Sequence, residues 1–194
     1  FLFDLAAPRT AEPVPLLGFE ETSLGINSMT FSPDGSWLAV GLYGSAVVWN
    51  LASVRPTVVG RHELPGVDLV FAPNGDLLSA SSGESGLKRW PLSPGSEEGV
   101  RELWSRPGAV PVVIRAVDPG GRFVIINYGF DDEMIVVPLD GSPASIHSLG
   151  RSPEGIAVNG ILGSVDPGGR FLAIAAFQFA HPEASSIRIL DLST

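Results

Sequence analysis

Apolar residues in this chain fall into short runs separated by turn-forming residues, and the runs recur in sets. One set comprises Trp37–Gly41, Leu77–Ser81, Phe123–Asn127 and Phe171–Ala176. A shorter run precedes each of these, at about 27–31, 66–71, 112–117 and 159–165. Another follows each, at Ala46–Leu51, Leu87–Leu92, Met134–Leu139 and Ile187–Leu192. A more weakly marked fourth lies near Val14–Leu17, Thr57–Gly60, Arg101–Trp104 and Ser145–Leu149. Runs of this length bounded by Gly, Pro, Asn and Asp predict β-strands. Val124-Ile125-Ile126 and Leu172-Ala173-Ile174-Ala175 are apolar on both faces, so other sheets are expected above and below them. No segment keeps a helical period over three turns, and no helix is expected.

One turn recurs between the first and second runs. It reads F-S-P-D-G at Phe31–Gly35, F-A-P-N-G at Phe71–Gly75, and V-D-P-G-G at both Val117–Gly121 and Val165–Gly169. Proline presets φ at the first corner, and Asp, Asn or Gly tolerates the next. The prolines Pro33, Pro73, Pro119 and Pro167 are spaced by 40, 46 and 48 residues. A second landmark closes the third run: Phe3-Asp4-Leu5, Trp49-Asn50-Leu51, Trp90-Pro91-Leu92, Val137-Pro138-Leu139 and Leu190-Asp191-Leu192. Its leucines are spaced by 46, 41, 47 and 53. Two landmarks with one shared period predict a repeat architecture.

F-S-P-D-G-S-W-L-A-V-G followed by A-V-V-W-N-L resembles a WD-repeat (WD40-type) β-propeller, with degenerate repeats of bacterial type. The likeness covers essentially the whole chain. It is strongest in the repeat ending at Trp49, weaker in the one ending at Trp90, and degraded in the last two, which lack the Trp. Propellers of periplasmic translocation proteins and of prolyl oligopeptidases also carry S-P-D-G turns, but the W-N-L and L-D-L endings favour the WD reading. The resemblance implies an all-β fold of four-stranded antiparallel blades. The expected organisation is one partial propeller over 1–194, with repeats at about 14–51, 56–92, 100–139 and 145–192 and a remnant strand at 1–5. Three complete and two partial blades are too few for the ring usual in the family. The chain is therefore expected to be part of a larger ring, or a half-ring that self-associates through open blade faces. The absence of an initiator Met points the same way.

Charge and composition exclude several functions. The net charge is −9, and of 12 basic residues all but Lys88 are arginine, with no basic cluster of the kind that holds nucleic acid. There is no Cys, which removes disulfides and zinc-thiolate sites. No apolar run is long enough to span a bilayer, and Phe1–Leu5 does not resemble a signal peptide. The cytoplasm is the favoured compartment.

Candidate chemistry is sparse. His62, Ser79, Ser81, Glu84 and Trp90 admit a Ser–His–acid reading. No nucleophile-elbow motif surrounds either serine, and the family resemblance assigns such a set to structural hydrogen bonding. Arg61, Arg106 and Arg151, spaced by 45 and 45, fall in fourth-to-first-strand loops. They read either as an arc of forked donors for an acidic or phosphorylated partner, or as bonds within each blade. The first such loop departs from the row with Phe19-Glu20-Glu21. The second-to-third-strand loops carry Tyr43, then Tyr128, Phe130, Asp131, Asp132 and Glu133, then Phe177, Phe179, His181 and Glu183. These compose a binding surface, or else the aromatics fold back as a plug. Asp131–Glu133 lacks calcium-loop spacing, and no metal or cofactor is expected. Asp118 and Asp166 are expected to close their turns.

The expectation is a non-enzymatic protein-interaction scaffold whose loop face presents Tyr43, Arg61, Arg106, Tyr128, Asp131, Arg151, Phe177 and Phe179 to a protein or peptide. The alternative is an accessory or catalytic propeller of a hydrolase, with a site at the channel mouth.

Overall fold

A computed structural model describes residues 12, 25–53, 55–62, 66–81, 86–92, 99–108, 111–128, 133–148, 160–177 and 186–192. Fifteen strands and no helix are found among them. The first sheet contains β1 (Ser28–Phe31), β2 (Trp37–Leu42), β3 (Ser45–Asn50) and β4 (Arg55–Arg61). The second contains β5 (Val67–Phe71), β6 (Leu77–Ser81), β7 (Gly86–Trp90) and β8 (Arg101–Ser105). The third contains β9 (Val112–Val117), β10 (Phe123–Tyr128), β11 (Glu133–Pro138) and β12 (Ser145–Ser148). The fourth contains β13 (Gly160–Val165), β14 (Phe171–Phe177) and β15 (Ser186–Asp191). Every sheet is an antiparallel meander, with strands paired in chain order. The expected remnant at 1–5 and the strand at Val14–Leu17 lie outside the described residues.

The third strands stop short of the expected landmark leucines. Leu51, Leu139 and Leu192 each add one backbone bond, to the carbonyls of Ser36, Arg122 and Arg170.

The recurrent turn is built as its residues dictate, with one difference. The N–H groups of Gly35, Gly75, Gly121 and Gly169 donate to the carbonyls of Ser32, Ala72, Asp118 and Asp166 at 2.8–2.9 Å. The left-handed backbone falls on those glycines, with φ of 71°, 89°, 72° and 66°, rather than on the Asp, Asn or Gly before them. Only Gly adopts this conformation without a Cβ penalty. The fifth position of the motif is therefore the one that demands Gly.

The sheets stack as propeller blades. Innermost strands lie side by side, β1 with β5, β5 with β9 and β9 with β13. Three apolar layers fill the spaces between blades. Ala39, Ala46 and Val48 meet Val67, Leu69 and Leu77 between the first and second. Leu78, Ala80 and Leu87 meet Val124, Ile126 and Val137 between the second and third. Ile125 and Met134 meet Leu172 and Ile174 between the third and fourth. Gly41 permits a close backbone approach, since a Cβ there would overlap the Val67 carbonyl oxygen of the next blade.

The two-faced burial expected of the second strands holds in β10, where Val124, Ile125 and Ile126 are all fully buried. It fails in β14. Leu172 and Ile174 are buried, while Ala173 is exposed, because no described blade packs on that side. On the same side Ile187 and Ile189 of β15 are 80% and 70% exposed. The described blades form an open arc.

Candidate functional site

The second blade carries a polar network in its interior. His62 follows β4, and its N–H donates to the Gly44 carbonyl at 2.9 Å, which brings the ring over β6. His62 Nε2 lies 3.0 Å from Ser79 Oγ. Trp90 Nε1 donates to the same Oγ at 2.7 Å. The His62 and Trp90 rings meet edge to face, with centroids 6.4 Å apart. Ser79 and Ser81 are fully buried. A nucleophile must reach its substrate, and the Ser79 hydroxyl is sealed in the core with Trp90 already donating to it. The arrangement therefore ties β6 and β7 to the residue that follows β4 and leaves the Ser79 hydroxyl no open approach for a substrate. Glu84, the acid of the triad reading, lies outside the described residues.

The loop face is described in part. Tyr43 sits at the two-residue turn between β2 and β3 and is 54% exposed. Arg61 ends β4 rather than standing in a loop. Arg106 directly follows β8 and donates through Nη1 to Glu133 Oε2 of the next blade at 2.9 Å. Tyr128 ends β10 and Phe177 ends β14. Asp131, Arg151 and Phe179 lie outside the described residues.

The opposite face, formed by the recurrent turns, is dense in ion pairs. Asp118 is fully buried and accepts from the Arg122 N–H and Nε through Oδ2, at 2.9 and 2.8 Å, and from Nη2 through Oδ1 at 2.9 Å. The Arg122 bonds hold its carboxyl below the usual range. Arg122 Nη2 also donates to the Gly169 carbonyl of the fourth blade at 2.9 Å, latching two turns together. Asp166 accepts the N–H groups of Gly168, Arg170 and Phe171. Asp34 accepts from Ser32 and Ser36, whose bonds lower its pKa to about 2.

A further cluster on the inner strands escapes sequence reasoning. Asp68 of β5 accepts the Ile114 N–H of the next blade at 2.9 Å. Burial pushes its carboxyl up and the Arg115 guanidinium down. Arg115 sits where the β9–β10 register shifts by one residue, a bulge that re-aims its side chain. Its Nη2 reaches Asn127 Oδ1 at 3.3 Å. The available signal was a lone charge in each of two apolar runs, V-D-L-V and V-I-R-A-V. Among the described residues no group of three or more His, Asp or Glu side chains is arranged to hold a metal ion. Among the described residues no helix is long and apolar enough to cross a membrane.

Comparison with known proteins agrees with this architecture. A family model described as WD domain, G-beta repeat matches residues 14–50. The COMPASS component SWD1 of Saccharomyces cerevisiae is 34% identical over 102 residues, covering 50% of this chain and 24% of the yeast protein. The β-propeller domain of Cps50 (Swd1) from Myceliophteria thermophila superposes with a TM-score of 0.63 at 11% identity, over 90% of this chain and 56% of that one. TolB from Acinetobacter baumannii also gives 0.63, at 16% identity, over 88% of this chain and 42% of TolB. These structural likenesses speak to the fold alone. The expected bacterial origin is not supported, since the curated relative is a yeast protein. The chain spans about a quarter of the yeast relative and about half of each structural neighbour. With one stretch matching the WD-repeat model and antiparallel blades stacked through its described residues, the chain has a β-propeller fold similar to that of WD-repeat proteins.

Proposed function

We propose that this propeller is a protein-interaction scaffold, presenting one rigid loop face to a protein or peptide within a larger assembly, with the cytoplasm as its compartment. The observation that carries the reading is the loop-face arrangement. Exposed Tyr43 and the Arg106–Glu133 pair stand at the same ends of stacked, well-buried blades. A surface preorganised in this way binds with little ordering cost. Its relative SWD1 is itself named as a component of a complex. The array completes its ring with further blades, from the same polypeptide or a second copy, across the exposed side of β14 and β15.

Replacing Arg61, Arg106 and Arg151 together by Ala tests the face. The expected result is an unchanged melting temperature with reduced recovery of co-purifying proteins in quantitative affinity purification. A lower melting temperature with unchanged recovery would make the arginines structural and overturn the reading. Light scattering on the purified chain tests the ring, since a stable monomer of 20.4 kDa would overturn completion by a second copy.

A further inference from the structure

Seven residues occur twice in this chain, V-D-P-G-G-R-F at Val117–Phe123 and again at Val165–Phe171. The first copy is engaged by the next blade. Arg122 Nη2 donates to the Gly168 and Gly169 carbonyls at 3.2 and 2.9 Å. Gly169 lies so close over the Arg122–Asp118 pair that a Cβ there would overlap both side chains. The second copy stands at the open side of the array. Arg170 turns instead to Asp191 of its own sheet, through Nε at 3.1 Å and Nη2 at 2.8 Å, and its side chain is 59% exposed. Asp191 occupies the place of Pro138 in the third blade, which offers no carboxylate. Among the described residues no group accepts from Arg170 Nη1.

The sheet faces beside the two turns correspond in the same way. By ladder register, Phe171, Ala173, Ile187 and Ile189 take the places of Phe123, Ile125, Met134 and Val136. In the third blade this face is covered, with Ile125 and Met134 fully buried against Leu172 and Ile174. In the fourth, Phe171, Ile187 and Ile189 are exposed. A second copy of this chain is a poor cover. Its first blade would have to present Leu38 and Val40, which hold the places of Leu172 and Ile174, and both are already buried on that side.

Given the reading that the ring is completed across β14 and β15, on which this rests, we propose that the cover is a further blade of this type and not another copy of this chain. Arg170 is its contact residue, donating to the carbonyls of that blade's recurrent turn as Arg122 donates to Gly168 and Gly169. The partner turn ends in Gly, because a side chain there would strike the arginine as one on Gly169 would strike Arg122. The partner's second strand carries long aliphatic residues at two alternate positions, meeting Ile187 and Ile189 as Leu172 and Ile174 meet the third blade.

The test extends the chain after Leu192 with a second copy of its residues 140–194, so that a V-D-P-G-G turn follows the fourth blade at the native spacing. The protein has no Cys, and Ile189→Cys in the first copy places a single thiol on the face. Maleimide labelling of that thiol is expected to be at least about tenfold slower in the extended chain than in the unextended one. Arg170→Gln in the first copy is expected to speed labelling of the extended chain about three- to tenfold. The same change in the second copy, which no blade follows, is expected to leave the rate unchanged. Both changes remove the Asp191 pair, so a merely structural arginine would act alike in the two. Equal rates for the two variants would overturn the role of Arg170 and leave ring completion standing. Labelling as fast in the extended chain as in the unextended one would overturn both. A further measurement needs no extension. Labelling of the unextended chain is expected to be independent of its concentration, and slowing at high concentration would put a second copy on the face and overturn the proposal.

Discussion

The second and third blades share one ladder plan and fasten it by opposite means. Counted from the inner pairing, Ser79 of β6 occupies the place of Ile126 in β10, and Trp90 of β7 the place of Val137 in β11. The second blade fills these places with a histidine–serine–tryptophan network. The third fills them with aliphatic side chains, both fully buried. A dry core depends on volume, because every removed methylene leaves an unfilled space. A polar core depends on completeness, because each donor or acceptor left alone retains its desolvation cost. The third blade moves its polar fastening to the surface turn, where Asp118 and Arg122 tie it to the fourth.

The sharpest way to break this comparison is to put the second blade's serine into the third. Ile126→Ser adds a hydroxyl where Val137 stands in the place of the tryptophan, and opens a cavity, so a loss of about 3–5 kcal/mol is expected in urea unfolding. A loss under about 1 kcal/mol would mean the blades are not fastened differently. Ser79→Ala is the reciprocal change. It removes the acceptor of Trp90 Nε1 and the Ser79 contact of His62 Nε2, and is expected to cost about 1–3 kcal/mol. A double-mutant cycle with Trp90→Phe should show a coupling of at least about 0.5 kcal/mol, and strict additivity would dissolve the network.

Asp118→Asn tests the turn fastening, with an expected cost of about 1–2 kcal/mol after allowance for the exposure of Arg122. Its pH dependence has a definite sign. The folded carboxyl lies below its ordinary value. Its contribution is therefore complete above the unfolded pKa of about 3.9 and is lost as pH falls through the lower folded value. Wild type and Asp118→Asn should thus converge in stability on acidification, and curves that stay parallel would remove the charge from the account. Arg106→Ala breaks an exposed pair and is expected to change stability by less than about 1 kcal/mol.

Strands and turns were legible because their causes are local. The alternation of Val67 to Phe71 and the unbroken apolar run of Val124 to Ile126 reflect how a pleated chain meets one or two packed faces. Which residue of the turn takes the left-handed backbone was not legible, because Pro-Asp-Gly admits either residue beyond the first corner. Hydrogen bonding from Gly35, Gly75, Gly121 and Gly169 back to the turn's first residue decides it. Ala173 was misread because its alternation is that of a buried strand, while burial depends on whether a neighbouring sheet is present.

By itself, then, the sequence determined the repeat, its period, the strands and the four turns, all consequences of φ/ψ sterics and side-chain alternation within a few residues. Only the tertiary structure decided which polar groups meet. Asp68 finds Ile114 N–H 46 residues away, Arg106 finds Glu133 27 away, and Arg122 finds the Gly169 carbonyl 47 away. Such pairings depend on the stagger between blades to within about an ångström, and that stagger is set by packing distributed over whole interfaces rather than by any local motif.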